Sequence, residues 1–471
     1  MSDLHLPPAM STLRPKLESV VAGIEDRALY GAAMLSARQG LRINVDNREE
    51  QVTQQAPTAG TVLTAFDGVT LHERAIGGFD LASVERAARD LEQDAGSSPQ
   101  AQSAHAGVSI DPGPERRADY VTPMQIAPDT LSTQEKLDRC RELQRRVRER
   151  DSRIVNARVI YSETSELSVF RNRAADLAQR VQRVNVYIIV FVAGPDGPRY
   201  DLMTKSATGG WEALHFTDKE LQAVVDNAIA LLSAERIEPG EYTIITAPGV
   251  TGTICHESFG HGVETDMFLK ERARAAHFID RVVGSPLVNI FDDPSYPGIF
   301  GSYFFDDEGM SAAPTQMVEN GVFRRGITDL YSATALGIPR SANGRRQDYS
   351  RKAYARMSNT FFAAGTTSVA DLFAQVENGV YLERWSSGME DPQGWGIQVT
   401  CHFGHEIKHG KVTQRMFAPV GISGYVPDVL QSITAVGNDW TIEAGGCGKG
   451  HKEFVSVSSG GPHLLLKARL G

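Results

Sequence analysis

Alternation of hydrophobic and polar residues dominates the first part of the chain and predicts strands. The pattern covers GAAMLSARQGLRINVDN, EEQVTQQ, TVLTAF and VTLHERAI between residues 31 and 76, with a tight Asp-Gly turn at Asp67. The following segment, FDLASVERAARDLEQ from Phe79, has the periodicity of an amphipathic helix. Together these elements predict an antiparallel αβ module over residues 1–92.

Residues 93–118 interrupt this pattern and predict a linker or mobile loop, because they are rich in Ser, Pro, Gly, Ala and Gln and offer little to bury. A second αβ module is expected over residues 119–239. It contains two capping-box patterns, Ser132 with Glu135 and Thr217 with Glu220, and each stands before a stripe of apolar residues with helical spacing. Strand patterns lie between the two predicted helices, including NVYIIVFVA from Asn185.

The remaining residues, 240–471, consist mostly of glycine-punctuated strand patterns such as GIQVTCHFGHEI and FVSVSSGGPHLLLKARL. The predicted fold class is therefore α+β, with N-terminal αβ modules and antiparallel sheet followed by a β-rich C-terminal domain. That domain opens on the strand pattern YTIITAP, which continues through GVTGTIC into the six residues HESFGH.

The composition is that of an ordinary soluble protein and argues against some classes of binding partner. The chain has 471 residues, 41% of them hydrophobic and 23% charged, and a formal net charge of -10. A negative balance argues against a nucleic-acid partner, which needs a basic surface. We expect no membrane association and a cytoplasmic location, because no apolar run is long enough to span a bilayer and the N-terminus lacks the apolar core of a secretion signal. Four cysteines in so long a chain do not make a disulfide framework.

The segment HESFGH, from His256 to His261, offers half of a metal site. Neutral imidazoles bind zinc, and an adjacent carboxylate can move protons. On a regular helix, five steps of about 100° would leave the two rings about 140° apart, too far round to share one ion. A single π-type bulge would bring them onto one face, and Gly260 loosens the backbone there. A chance occurrence of the motif in an ordinary helix is the competing interpretation.

The stretch APGVTGTICHESFGHGVETD resembles the TldD/PmbA family of metallopeptidases, in particular its TldD-like members with an HExxxH motif. Four later segments fit the same family in the right order: YFFDDEGMSA, NGRRQDYSRKAYARMSNTFF, EIKHGKVTQRMFAPVGISGYVPDVLQSITAVGND and EAGGCGKGHKEFVSVSSGGP. The resemblance covers residues 241–471 and is weaker in the first two modules, where GTVLTAFDGVTLHERAIGGF lacks an arginine expected in its first strand.

The resemblance implies a zinc peptidase that cuts unfolded peptides or small flexible proteins, for example in leader-peptide removal. Its ligands to Zn²⁺ would be His256, His261 and Cys447, and Glu257 would be the general base. Three protein ligands leave a fourth tetrahedral position open, which is typical of catalytic zinc. The resemblance also implies a dimer, either a heterodimer with a metal-less TldD/PmbA paralogue or a homodimer.

Other residues have two interpretations each. Glu264 and Asp266 either orient an imidazole N–H or belong to a solvated helix end. Arg345 and Arg346 either grip a substrate carboxylate or carbonyl, or pin the acidic DDEG segment, and the second interpretation is favoured.

Further thiols and imidazoles near these motifs compete as ligands. Cys255 would point away from His256 on a helix, and strand alternation separates His402 from His405 near Cys401. A non-catalytic binding or assembly subunit, or a zinc amidase acting on a small molecule, are the alternative functions.

Overall fold

The computed structural model describes residues 4–96, 110–195, 197–450 and 453–471. Strands and helices mix throughout, so the predicted α+β class is confirmed. Within the described residues no helix is long and apolar enough to cross a membrane.

The strands before residue 209 form one sheet. They are β1 (Tyr30–Val45), β2 (Glu50–Phe66), β3 (Leu71–Gly77), β4 (Arg116–Val121), β5 (Ile154–Asn172), β6 (Ala175–Val192) and β7 (Arg199–Thr208). Their order is β3-β2-β1-β5-β6-β4, with β7 also paired to β6, and among the described strands of this sheet only the β4–β6 pairing is parallel. Because β1 pairs with β5 along nearly its whole length, the two predicted αβ modules share this sheet.

Of the segment predicted as a linker, residues 97–109 lie outside the described residues. The described remainder is not all loop: a helix extends to Gly96, and β4 begins at Arg116.

In the part of this region that the structure describes, five α-helices accompany the N-terminal sheet. They are α1 (Pro8–Leu13), α2 (Leu17–Glu25), α3 (Leu81–Gly96), α4 (Thr133–Arg148) and α5 (Asp218–Ala230). Both predicted capping boxes are present, since the Ser132 and Thr217 side chains accept from the backbone of Glu135 and Glu220, whose carboxylates bond back. Short 3₁₀ turns add the segments Arg14–Lys16, Pro128–Thr130, Trp211–Leu214 and Leu231–Ser233.

The described residues of the C-terminal region form two larger sheets and a two-stranded one. Its strands are β8 (Gly240–Thr246), β9 (Ile290–Asp292), β10 (Thr315–Glu319), β11 (Val322–Phe323), β12 (Gly344–Arg345), β13 (Tyr354–Ala355), β14 (Asn359–Phe362), β15 (Asn378–Asp391), β16 (Gly396–Lys408), β17 (Lys411–Phe417), β18 (Val420–Tyr425), β19 (Ala435–Val436), β20 (Thr441–Lys449), β21 (Glu453–Gly461) and β22 (Leu464–Leu470). Its α-helices are α6 (Pro248–Phe259), α7 (Thr265–Leu269), α8 (Leu330–Leu336), α9 (Val369–Ala374) and α10 (Val426–Gln431), with 3₁₀ turns at His261–Val263 and Arg274–Phe278.

One of the larger sheets has the order β11-β10-β9-β14-β21-β20. The other has the order β15-β8-β22-β18-β16-β17, and a further pairing between β15 and β16 closes five of its strands into a ring. The small sheet pairs β12 with β13.

Helix α6 packs against strands of both larger sheets. Ten of its twelve residues are buried, as expected for a helix without a polar face. Small residues allow α6 to approach β21 closely. A Cβ at Gly252 would lie 2.4 Å from the backbone nitrogen of Gly460 in β21. Trp395, in the β15–β16 turn, packs on Phe259 at the other end of α6. The helix is therefore fixed between sheets along its whole length.

Candidate metal centre

The two histidines of HESFGH come together because α6 ends between them. The helix stops at Phe259, Gly260 adopts φ -94° and ψ -83°, and His261 begins a 3₁₀ turn. The expectation of a π-type bulge is therefore wrong, since a break in the helix moves the second ring. Only glycine fits at the break, because a Cβ on Gly260 would lie 2.3 Å from the carbonyl oxygen of His256.

Cys447 reaches the same place from a strand near the end of the sequence. It lies in β20, which pairs with β21 in the register Cys447–Val455. Its side chain is buried, and its Sγ lies 3.0 Å from Nε2 of His261. The chain thus brings a thiol and an imidazole together across 186 residues of sequence.

One donor atom from each of His256, His261 and Cys447 lies within 4.8 Å of the others. No other group of this kind is found in the described part of the chain. The two imidazole centroids are 5.1 Å apart, with the ring planes at 87°. Nδ1 of His256 is buried and makes no hydrogen bond to any described residue. The three donors therefore converge on one point.

The charges of these donors depend on one another. Burial would raise the pKa of the Cys447 thiol, but His256 and His261 lower it well below its usual range. Burial would lower the pKa of His261, but Glu264 and Cys447 raise it well above its usual range. A thiolate beside an imidazolium is the expected pairing before any cation binds, and a metal ion would take the place of the imidazole proton.

Glu257 follows His256 in α6 and is 7% exposed. Burial raises its pKa, His256 and His261 oppose that shift, and Cys447 adds to it. Its carboxylate lies against β15, where a Cβ on Gly388 would come within 2.4 Å of Oε1. The bare backbone of Gly388 thus leaves the room that this carboxylate occupies.

The two acidic residues after the motif have different neighbours. Glu264 lies 3.4 Å from Nδ1 of His261, on the ring edge away from the thiol, and pairs with Lys449 at 3.1 Å. Burial would raise the pKa of Glu264, but Lys449 and His261 hold it below its usual range. Asp266 instead accepts from Lys449 at 2.6 Å and pairs with Lys270. Only Glu264 is placed to orient an imidazole.

Arg345 and Arg346 both contact other residues of this chain. Arg345 donates to the carbonyl of Met357 and stands over the ring of Tyr303. The backbone of Arg346 donates to Asp307 of the DDEG segment, and its guanidinium donates to Glu73 in β3. These contacts fit the interpretation in which the arginines hold the acidic DDEG segment in place. Both arginines also line a polar cleft.

The competing ligands are dispersed. His402 contacts the Tyr200 carbonyl, and His405 pairs with Glu383 at 2.9 Å. Cys255 and Cys401 are fully buried in the C-terminal core, where burial raises their thiol pKa. None of these four belongs to the converging group of donors.

Two family descriptions match this sequence. The PmbA/TldA metallopeptidase C-terminal domain matches residues 239–469, and the central domain of the same family matches residues 126–235. Together the two matches span well over half of the chain. The chain belongs to the TldD/PmbA family.

Curated relatives agree with this membership. A protein named metalloprotease from Methanothermobacter thermautotrophicus is 32% identical over 318 residues, which are 67% of this chain and 69% of that protein. A protein named zinc metalloprotease TldD homolog from Saccharolobus solfataricus is 31% identical over 229 residues, 48% of this chain and 51% of that protein. The second match spans about half of that relative's length. Relatives of this TldD/PmbA chain are thus named as metalloproteases.

Solved structures show the same fold. TldE from Thermococcus kodakarensis has a TM-score of 0.73 and 17% identity, covering 96% of this chain and 99% of that one. A proposed modulator of a DNA gyrase from Thermotoga maritima has a TM-score of 0.78 and 17% identity, covering 98% of this chain and 100% of that one. At such identities the likeness establishes the TldD/PmbA fold alone.

Sequence reasoning about this TldD/PmbA chain missed Glu390. It lies two positions after Gly388 in β15 and so on the same strand face. Burial raises the pKa of Glu390 to about 7, His261 opposes the shift, and Glu264 and Glu257 add to it. Its Oε2 is buried and has no hydrogen-bond partner among the described residues. The sequence gives no signal for this carboxyl, because its neighbours come from distant segments.

Proposed function

We propose that this protein is a zinc-dependent peptidase that hydrolyses peptide bonds in unfolded peptides or small flexible proteins, such as the leader segments of precursors. The observation that carries the proposal is the convergence of His256, His261 and Cys447 on one point, with Glu257 next to His256 in sequence and its carboxylate buried beside β15. The names of curated relatives support a metalloprotease, and one of them is named as a zinc enzyme.

The donor set suits zinc. Imidazole nitrogen and thiolate sulfur are the ligand types that Zn²⁺ favours, and the buried Nδ1 of His256 has no described partner to compete for it. His261 would bind through Nε2 while Glu264 holds its Nδ1, an arrangement that fixes the ring and its tautomer. When bound, Zn²⁺ supplies a Lewis acid that acidifies water and polarises a carbonyl.

Glu257 would move the proton. A buried carboxylate beside the donors can accept a proton from the attacking water and later deliver it to the leaving amine. Gly388 leaves room for the Glu257 carboxylate, because any side chain at position 388 would occupy the space of Oε1. This chain's own part in the reaction is therefore to hold the proton on one carboxylate and to bury that carboxylate from bulk water.

We also propose that substrate binds in an extended form. β20, which carries Cys447, is the edge of its sheet among the described strands. An extended peptide can add its backbone to such an edge, which gives little selectivity for side chains and excludes folded proteins. A dimer, either with a metal-less TldD/PmbA paralogue or with a second copy, remains part of the proposal and rests on the family resemblance.

Metal removal tests the function directly. The full chain, alone and with any partner that co-purifies from its source, is incubated with an unstructured peptide and products are identified by mass spectrometry. We expect cleavage at peptide bonds that stops with a chelator and returns with added Zn²⁺. Cleavage of small amides but not of peptides would instead favour an amidase. Protein purified without chelators that contains no zinc by elemental analysis would favour a non-catalytic subunit.

Gly388→Ala tests the position of Glu257. The new methyl group would lie 2.4 Å from Oε1, so the carboxylate must move. Because displacement of a reacting group by about 1 Å can cost about 100-fold in rate, we expect a loss of this order in kcat with zinc content unchanged. Gly396→Ala, at the start of β16, is the matched control, since its nearest neighbour would be 4.0 Å away. Equal rates in the two variants would contradict the assigned position.

A further inference from the structure

Arg356 is buried near the donors, in contact with Cys447, and was not among the candidate site residues predicted from the sequence. It follows β13 and is 1% exposed. Its backbone N–H donates to the Asn343 carbonyl at 2.9 Å, and its own carbonyl accepts from the Asn343 side chain at 2.9 Å. Both backbone groups are thus fixed by one neighbour, so the side chain leaves the backbone in a defined direction.

The guanidinium contacts two groups of the centre at once. Nη2 donates to Sγ of Cys447 at 2.9 Å and to the Cys447 carbonyl at 2.9 Å. Nε lies 3.2 Å from Oε1 of Glu264. Because the guanidinium is planar, its hydrogen bonds to the sulfur and the carbonyl of Cys447 fix the direction from which it meets the sulfur, and its ion pair with Glu264 holds the carboxylate nearby. Glu264 in turn lies against His261, so Arg356 links the thiol to the imidazole through their outer sides.

Charge explains why an arginine suits this position. Cys447 and Glu264 are buried acidic groups, and Arg356 is a buried cation in contact with both of them. Without Arg356 these two groups would lose a buried counter-charge, and unbalanced charge in a low-dielectric interior is costly.

We propose that Arg356 is a positioning residue that aims the Cys447 sulfur at the two imidazoles and, by donating to it, withdraws electron density from the sulfur toward the guanidinium. The inference rests on the proposed function only in requiring a metal ion at this centre. Outer partners of this kind change metal affinity by about 10–100-fold. A hydrogen-bonded thiolate is also harder to oxidise, so its charge-transfer band to a bound metal lies at higher energy.

Cobalt substitution tests this, because Co²⁺ reports a bound thiolate by a sulfur-to-metal absorption band. In Arg356→Met we expect Co²⁺ affinity, measured by chelator competition, to fall about 10–100-fold and the band to move to lower energy. Arg356→Lys keeps a charge but lacks the planar guanidinium that bonds the sulfur and the carbonyl of Cys447 while pairing with Glu264. We expect it to show the same changes at smaller size, and it decides the question if the Met variant does not fold.

Arg345→Met is the matched control, since it removes another buried guanidinium that is bound to the Met357 carbonyl, next to Arg356 in sequence. Its band and Co²⁺ affinity should equal those of the unmodified protein. A folded Arg356→Lys with unchanged band and affinity overturns the inference, and so does an equal shift in Arg345→Met. An unmodified protein that binds Co²⁺ without a sulfur band would overturn the proposed ligand set as well, which separates the two failures.

Discussion

Glu257→Gln should abolish most peptide hydrolysis while zinc stays bound. The amide has nearly the shape of the carboxylate and fits the same space beside Gly388, but it cannot accept a proton at neutral pH. Because a positioned general base contributes about 10²–10⁴-fold to rate, we expect kcat to fall by that factor. The measurement is single-turnover cleavage of an unstructured peptide, together with zinc content by elemental analysis.

Glu319→Gln serves as the control for this prediction. Glu319 lies at the end of β10, and its carboxylate pairs with Arg324 in a partly exposed position. The same chemical change there should leave cleavage as it was. If Glu257→Gln retained full activity with its zinc, another group would have to take the proton, and Glu390 on the neighbouring strand would be the next residue to substitute.

Local signals in the sequence predicted individual elements well. Helices α4 and α5 begin where their capping boxes predict, because the bonds of Ser132 and Thr217 join residues three apart and need no tertiary partner. The segments EEQVTQQ and TVLTAF, by contrast, are parts of the single strand β2. They form one strand because both pair with β1, and the pairing continues across an irregularity in the register at Arg38 of β1.

The residues of the candidate site also divide into those that local sequence predicted and those that only the tertiary fold brings together. His256, Glu257 and His261 are close in sequence, so their residue types indicated metal chemistry directly. Cys447 is 186 residues from His261, and only the family resemblance connected the two. The helix break at Gly260 and the role of Arg356 could not be predicted, because both depend on how α6, β13 and β20 pack together.

Cys447→Ala should remove zinc and with it all peptide cleavage. The substitution deletes the anionic donor and leaves two imidazoles, and Arg356 loses the sulfur while it keeps the carbonyl of residue 447 and Glu264. We expect zinc affinity to fall by more than the about 10–100-fold cost of losing an outer partner, so that protein passed over a desalting column carries little metal. Zinc content and a competition titration measure the loss.

Cys255→Ala makes the same change one residue before His256 and is the control. Its thiol is fully buried in the core of the domain and outside the converging donors. It should therefore lower the free energy of unfolding, since a buried group is lost, yet keep zinc at full occupancy. Equal zinc loss in both variants would mean that the metal depends on the packing of α6 and not on the sulfur of Cys447. Full zinc affinity in Cys447→Ala would show that the third ligand is a different residue, and the assignment of this centre would then be wrong.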